Sequence, residues 1–497
     1  MNVERASNPE TDPVTEPATG PSRNPPANPE GNPAADATSH PAANGTSHPA
    51  VNATGNPAAL RARAAVLDDD DPLAEYTSYF VPGDELVAYL DGNSLGRPVA
   101  SVPDALGDFV RTEWAGRLIR GWDELWLTRA EELGDRIGAA CLGAASGQTI
   151  VADSTSVLIF KLLHAAIAAR HGADRNSSGN SNGTSNGNGS RIGKSNGNGN
   201  ATRDSSSSSD ASRNELVMLR DEFPTDRFIL ERVADDHGLT VRWVDAPLDG
   251  GITPELAAAV VSERTIAALF SGVAYRSSWW ADMPAVTATV QAAGAFMIWD
   301  CSHAVGSVPL ELDAWGVDFA VGCSYKYLNG GPGAPAWAYV AERHQASLRN
   351  PIPGWLGAAN PFSMIESYAP APGVRSLVSG TPPIVGMVAL TEMLTLIEAA
   401  GIRAIREKSV ALTSYAIELV DALIPDATVT TSRDSERRGS HLTVDHPHAA
   451  VAVERLWALG VIPDFRYPSG VRIGLSPLST SFAEVERGIR ALADALA

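Results

Sequence analysis

The sequence predicts an α/β protein with a large domain on a mainly parallel sheet and a smaller C-terminal α+β domain. Two observations carry this. Short apolar runs (Glu215–Leu219, Thr240–Val244, Thr265–Phe270, Phe296–Trp299 and Asp318–Cys323) alternate with segments of helical character such as Pro284–Ala293, the pattern of strands joined by right-handed crossovers. Past about Pro383 the pattern changes to long helices, Ile384–Ala399 and Arg403–Leu423, then short strands near Leu442 and Arg472 and a last helix from Phe482. The expected organisation is a disordered tail over residues 1–70, an arm and large domain over 71–385, and a small domain over 386–497.

Taken in order, Met1 to roughly Leu60 repeats Asn-Pro, Pro-Ala and Gly-Asn with few large apolar residues. Such a segment cannot bury enough surface to offset its ordering entropy, so disorder is expected. A second tract, 172–213, is rich in Ser, Asn and Gly and reads as a flexible surface insertion. Between them, Tyr89–Arg97 is a short strand breaking into a Gly/Asn turn, and Ala105–Arg120 is an amphipathic stretch closed by Gly121-Trp122. Thr149–Ala152 reads as a strand, and Asp153-Ser-Thr-Ser156 opens a helix. A hydroxyl-rich helix start favours a phosphate through free N–H groups and the dipole; it is also an ordinary cap.

With 497 residues and a formal charge of −20, the chain has ample core and no general basic character for nucleic acid or an anionic membrane. Cys141, Cys301 and Cys323 show no metal-ligand spacing, which favours free thiols in a reducing cytoplasm. No apolar run is long enough for a bilayer, and the N-terminus lacks a signal-peptide core.

Asp318–Gly333 concentrates the chemistry. An apolar run leads to Ser324, then Lys326 stands between Tyr325 and Tyr327 before a Gly/Pro-rich turn. The chain has only four lysines: Lys161, Lys194, Lys326 and Lys408. An apolar, aromatic setting disfavours a charged amine, which suits one that must form a Schiff base; it also suits a snorkelling lysine. Upstream, Ala295–Asp300 is a buried-strand pattern ending in a carboxylate, where open α/β sheets place ligands. Pyridoxal phosphate (PLP) chemistry needs an acid there, to keep the pyridine nitrogen protonated. Asp300 could alternatively cap a helix, but Asp300-x-x-His303 followed by Ser324-Tyr-Lys326 points to PLP.

With these motifs in place, the chain resembles the kynureninases, PLP-dependent hydrolases of fold type I, from about Tyr76 to Leu496. The motifs are Leu90-Asp-Gly-Asn-Ser-Leu-Gly96, Phe223-Pro-Thr-Asp226, Tyr325–Gly333, Gly354-Trp-Leu-Gly357, Gly380-Thr-Pro-Pro383 and Arg472–Leu478. The resemblance implies a PLP-dependent transferase-like large domain and cleavage of L-kynurenine, with 3-hydroxy-L-kynurenine a further substrate, to anthranilate and L-alanine in the pure kynurenine case. It implies catalytic roles for Lys326, Asp300 and Tyr325. Cofactor contacts would come from Thr155, Ser156, Phe223, Pro224, Thr225, Asp226, Ser271, Asp300, His303, Tyr325 and Lys326. Trp355 and Thr381 would complete the phosphate site from the neighbouring subunit of a homodimer. Arg472, Ser94 and Trp122 would meet the substrate, Arg472 through its α-carboxylate. Trp122 and Thr381 stand where relatives favouring 3-hydroxykynurenine resemble one another in carrying His and Asn, which implies a preference for kynurenine here.

Two segments depart from the family pattern. Leu158-Ile159-Phe160 follows Val157 where Asn is usual, and Tyr275–Trp280 replaces a Thr-Gly-rich turn. They bear on substrate detail, not on PLP binding. A cysteine desulfurase or aminotransferase is the rival enzyme, but no Cys follows Cys323 to serve the usual mobile loop. A non-catalytic PLP-fold protein would be expected to lose Lys326 or Asp300, and both are present.

Overall fold

A seven-stranded sheet positions everything that follows, and its order is Thr149–Ala152, Ala336–Val340, Phe319–Gly322, Phe296–Asp300, Thr265–Ser271, Glu215–Leu219, Thr240–Val244. The computed structural model describes residues 57–178, 213–363 and 366–497. Ala336–Val340 runs antiparallel to both its neighbours, while the other pairings are parallel. Each of the expected strands is present within a residue or two of its expected ends. Ala336–Val340 was not expected. It is a fully buried apolar run like its neighbours, but it follows directly on the Gly/Pro-rich residues 330–335, a turn signal that masks the start of the strand.

Helices cover the sheet. Thr155–Ser178 packs Leu158, Ile159, Leu162 and Leu163 against it, so the departure at Leu158-Ile159 lies in the core and not in a cleft. Pro224–His237 begins with Pro at its first turn and ends at Gly238, whose φ of 65° is a left-handed helix stop. Met283–Ala292 is capped by Asp282, whose side chain accepts from Ala285 N.

The C-terminal region has a four-stranded antiparallel sheet, Asp464–Arg466, Gly470–Gly474, His441–Asp445, Thr428–Val429. Helices Ile402–Leu423 and Ala449–Ala458 pack on it, and Phe482–Leu496 packs against both of those helices. Two apolar cores result. Ile405 still belongs to the first and Leu412 to the second, so the cores change over inside helix Ile402–Leu423, some twenty residues beyond the expected boundary at 385/386. No single helix among the described residues is long and apolar enough to cross a membrane.

The expected tail is corrected at its end. Pro57–Asp69 is a helix, with Leu60 and Ala64 buried in the second core. Its own sequence is weakly amphipathic, so tertiary contacts hold it: Arg63 pairs with Glu418 at 2.7 Å, and Asp68 accepts from the first N–H groups of the last helix, Phe482 N and Ala483 N, at 2.7 and 2.9 Å. Residues 1–56 of the tail lie outside the described residues, as does 179–212 of the expected insertion; helix Thr155–Ser178 continues through the insertion's expected start at 172.

Candidate active site

Parallel strands share a direction, so their carboxyl ends open on one edge of the sheet. There Asp300 ends Phe296–Asp300, in register with Ser271 at the end of Thr265–Ser271. Asp300 Oδ1 accepts from Ser302 N at 2.8 Å, which fixes the carboxylate. The loop after Phe319–Gly322 brings Lys326 across, with its Nζ 3.1 Å from His303 Nε2 and 5.9 Å from the centre of the Phe223 ring. Thr155, Ser156, Phe223, Thr225, Asp226, Ser271, Asp300, His303, Tyr325 and Lys326 line one cleft of about 420 Å³. Pro224 starts the helix that carries Thr225 and Asp226.

The glycines of the motifs have a packing reason. Gly96 N donates to Tyr325 O at 2.8 Å, and a Cβ at Gly96 would run into the Lys326 carbonyl and the Asn329 side chain. The Leu90–Gly96 motif is thereby pressed onto the loop that carries Lys326.

Three carboxyls, Glu222, Asp226 and Asp300, crowd the base of the cleft, and all are buried. Burial, then the charges of Asp300 and Glu222, push the Asp226 carboxyl well above its ordinary range. Asp226 Oδ2 is buried without a hydrogen-bond partner. Burial pushes Glu222 up to about 7. Burial and the nearby Lys326 ammonium hold His303 well below the usual imidazole range, so the partner of Lys326 Nζ is a neutral ring. The Tyr325 phenol is raised, chiefly by burial. The hydroxyls of Thr155 and Ser156 stand at the start of a 24-residue helix, where an anion meets unfilled N–H groups.

This donor set fits PLP. A buried carboxylate at a strand end would face a ring nitrogen, an aromatic face would cover a planar ring, a helix start would take a phosphate, and an amine stands across the cleft. Asp153 anchors the helix start: its carboxylate meets the fully buried Lys161 at 2.6 Å, which also donates to Leu377 O and Ser379 Oγ at 2.6 and 2.7 Å. Lys161 is therefore structural.

Trp122, Trp355 and Thr381 gather elsewhere. The Trp122 and Trp355 rings lie 6.1 Å apart, centre to centre. Trp122 and Thr381, with Phe109, Trp114, Trp126 and Pro382–Gly386, line an apolar cleft of about 740 Å³. It shares no lining residue with the Lys326 cleft.

Ser94 and Arg472 are brought together one step back from the Lys326 cleft. Arg472 is 1% exposed. Its Nη2 donates to Ser94 Oγ at 2.7 Å and Asp464 Oδ2 at 2.6 Å, and its Nη1 to Tyr275 O at 2.9 Å. With the Asn93 amide turned to satisfy its neighbours, Nε donates to Asn93 at 2.9 Å. Tyr275 itself lines the Lys326 cleft, edge-on to Phe223 with ring centres 5.8 Å apart, so the departing Tyr275–Trp280 segment does form pocket wall.

Sequence reasoning passed over Glu222, Ser302 and His441. His441 is buried, its ring centre 5.3 Å from that of His303. The only sequence signal for these was proximity to known motifs; the contacts themselves span long separations.

Residues 405–492 match the kynureninase C-terminal domain family. The chain is 35% identical over 444 residues to a kynureninase of Burkholderia pseudomallei (strain K96243), covering 88% of this chain and 95% of that protein. It is 35% identical over 436 residues to a kynureninase of Pseudomonas fluorescens, covering 86% and 94%. Among solved structures, the apo cysteine desulfurase of Thermococcus onnurineus NA1 aligns with TM-score 0.62 at 16% identity, over 87% of this chain and 98% of that one. The cystine C-S lyase C-DES aligns with TM-score 0.66 at 13% identity, over 82% and 97%. These structural likenesses establish the fold alone. Identity sustained over nearly the whole of both chains is more specific, and on that ground the chain belongs to the kynureninase family.

Proposed function

We propose that the protein hydrolyses L-kynurenine to anthranilate and L-alanine, with PLP bound in the Lys326 cleft. One observation carries the reading: Lys326, Asp300, Phe223 and the start of helix Thr155–Ser178 converge on one cleft in a chain 35% identical to kynureninases. Bound there, PLP supplies an electron sink for the substrate α-carbon. Lys326 attaches the cofactor and moves protons at that carbon. Asp300 holds the proton on the pyridine nitrogen. The neutral His303 leaves the Lys326 amine free of a competing ion pair. Thr155, Ser156 and Tyr325 hold the phosphate, and Phe223 and Tyr275 exclude water from the ring face. Arg472 is the residue proposed for the substrate carboxylate; its fork is engaged by Ser94, Asp464 and Tyr275, so it would meet the substrate by exchanging one of these partners.

The test is product analysis after mixing purified protein, PLP and L-kynurenine, repeated with 3-hydroxy-L-kynurenine. Anthranilate and alanine in equal amounts support the reading; no turnover of either substrate ends it. We expect the higher kcat/KM on L-kynurenine. The indole of Trp122 offers no acceptor, and burying a 3-hydroxyl without a partner gives roughly a ten- to hundredfold preference. Equal or reversed values would remove Trp122 from substrate selection. A desulfurase reading has the fold in its favour but no candidate thiol, since Cys141, Cys301 and Cys323 are free and buried. The same three thiols favour a reducing compartment, and we place the enzyme in the cytoplasm.

The working unit we propose is a homodimer, with Trp122, Trp355 and Thr381 completing the partner's site. What supports it is their distance from the chemistry in their own chain and the apolar surface around them: Trp114 is 53%, Leu118 61% and Ile119 78% exposed, a cluster that calls for cover. Mixing an inactive Lys326→Ala chain with an inactive Trp355→Ala/Thr381→Ala chain is expected to restore about a quarter of parental activity under random exchange, because one site in the mixed dimer has all its parts. A fully active monomer in sedimentation and kinetics would contradict this.

A further inference from the structure

The base of the cleft holds a carboxyl that none of the roles above uses. Glu222 precedes Phe223 and is 2% exposed. Its Oε1 accepts a short hydrogen bond from Ser271 Oγ and another from Phe223 N at 3.2 Å. Its Oε2 accepts from Ser271 N at 3.0 Å. Both oxygens are thus turned onto the end of strand Thr265–Ser271, whose last residue pairs with Asp300. Donors on both oxygens suit the bare carboxylate, and burying that charge among other carboxyls is costly. The cost makes sense where a cation is to be received.

We propose that Glu222 is a positioning residue of the cofactor site, holding Ser271 in place and adding a buried negative charge behind Asp300 for the protonated pyridine nitrogen of PLP. The inference rests on the PLP reading above. The charged groups around Glu222 agree with it. The Asp300 carboxylate acts on Glu222, and Glu222 in turn acts on Asp226 of the following helix. Lys326 stands across the cleft. Above the value of about 7 to which burial pushes Glu222, its charge is present, and a pyridinium beside it extends that range downward.

The full-length protein, stripped of cofactor, is titrated with PLP at pH 8 by tryptophan fluorescence and visible absorbance, as the parent and as Glu222→Gln, Glu222→Asp and Glu222→Ala. Glu222→Gln removes the charge and keeps one acceptor oxygen, with a donor amide where the other stood, so a modest fall in melting temperature is expected while its Kd for PLP rises on the order of tenfold. The pH midpoint of the bound cofactor's absorbance is expected to move down, since a lost negative charge disfavours protonated forms. Glu222→Asp keeps the charge and is expected to hold Kd within about threefold of the parent; Glu222→Ala loses clamp and charge and melts earlier. If Glu222→Gln binds PLP within about twofold of the parent with an unchanged absorbance profile, Glu222 is only a clamp and the proposal fails. Equal weakening in the Gln and Asp variants would likewise overturn the role of charge. A parent that takes up no PLP would instead overturn the cofactor reading itself.

Discussion

Replacing Lys326 with Ala is expected to lower kcat by roughly 10³-fold or more, because attachment of the cofactor and proton movement at the substrate α-carbon both depend on one amine. The fold should survive. Lys326 Nζ has a neutral imidazole, His303 Nε2, as its hydrogen-bond partner at 3.1 Å, so its removal breaks no ion pair, and the buried Asp226, which loses the Lys326 charge, is already pushed toward its neutral form. The phosphate and ring contacts proposed for Thr155, Ser156, Phe223 and Asp300 remain, so PLP should still bind, but reversibly. Two measurements separate these effects. Borohydride reduction should fix PLP to the parent and not to Lys326→Ala, and gel filtration should strip the variant of cofactor. A variant that retains covalently attached PLP, or one that turns over kynurenine at near-parental rate, would remove Lys326 from the centre of the chemistry.

How legible this site was in the sequence depended on how local each signal is. Lys326 and Asp300 were readable because an apolar run places a charged residue at a strand end, and strand ends in such sheets face ligands. The proposed cofactor set Phe223–Asp226 was readable as a motif, and the structure places it at a helix start. Glu222, one residue earlier, was not: a Glu in a turn reads as solvated, and only its contact with Ser271, 49 positions away, reveals a buried carboxyl. Arg472 was legible as an arginine on a strand, but its four partners come from Ser94, Asp464, Tyr275 and Asn93. Helix Pro57–Asp69 was hidden for a different reason. Its Ala- and Arg-rich sequence follows directly on a Pro/Asn-rich tract and has little apolar face of its own, so its order is imposed by the residues it packs against. Strand Ala336–Val340 was hidden by the Gly/Pro-rich residues 330–335 directly before it, which read as a continuing turn.

The second large effect is expected far from the cleft, where Lys408 meets Asp71 at 2.6 Å with side chains only 2% and 3% exposed. Lys408 is on helix Ile402–Leu423, the element in which one core gives way to the other, and Asp71 ends the segment after helix Pro57–Asp69. Asp71 Oδ1 also accepts from Leu73 N at 2.9 Å, so the carboxylate both pairs and shapes the chain's entry to the arm. Burial lowers the Lys408 pKa even beside this partner, the mark of an ammonium that depends on its counter-charge. Removing either partner leaves the other buried and uncompensated, at a cost of about 3–5 kcal/mol. Asp71→Ala and Lys408→Met are each expected to lose that much stability in urea unfolding, seen as a lower midpoint at unchanged slope. The double variant is expected to recover most of the loss, because the stranded charge is gone and methionine fills the lysine's space. The arm also carries Gly96, pressed onto the Lys326 loop, so the single variants should retain PLP less well during partial unfolding. If the double variant is as unstable as the sum of the singles, the pair does not act as a unit, and Asp71 matters only for the turn it caps.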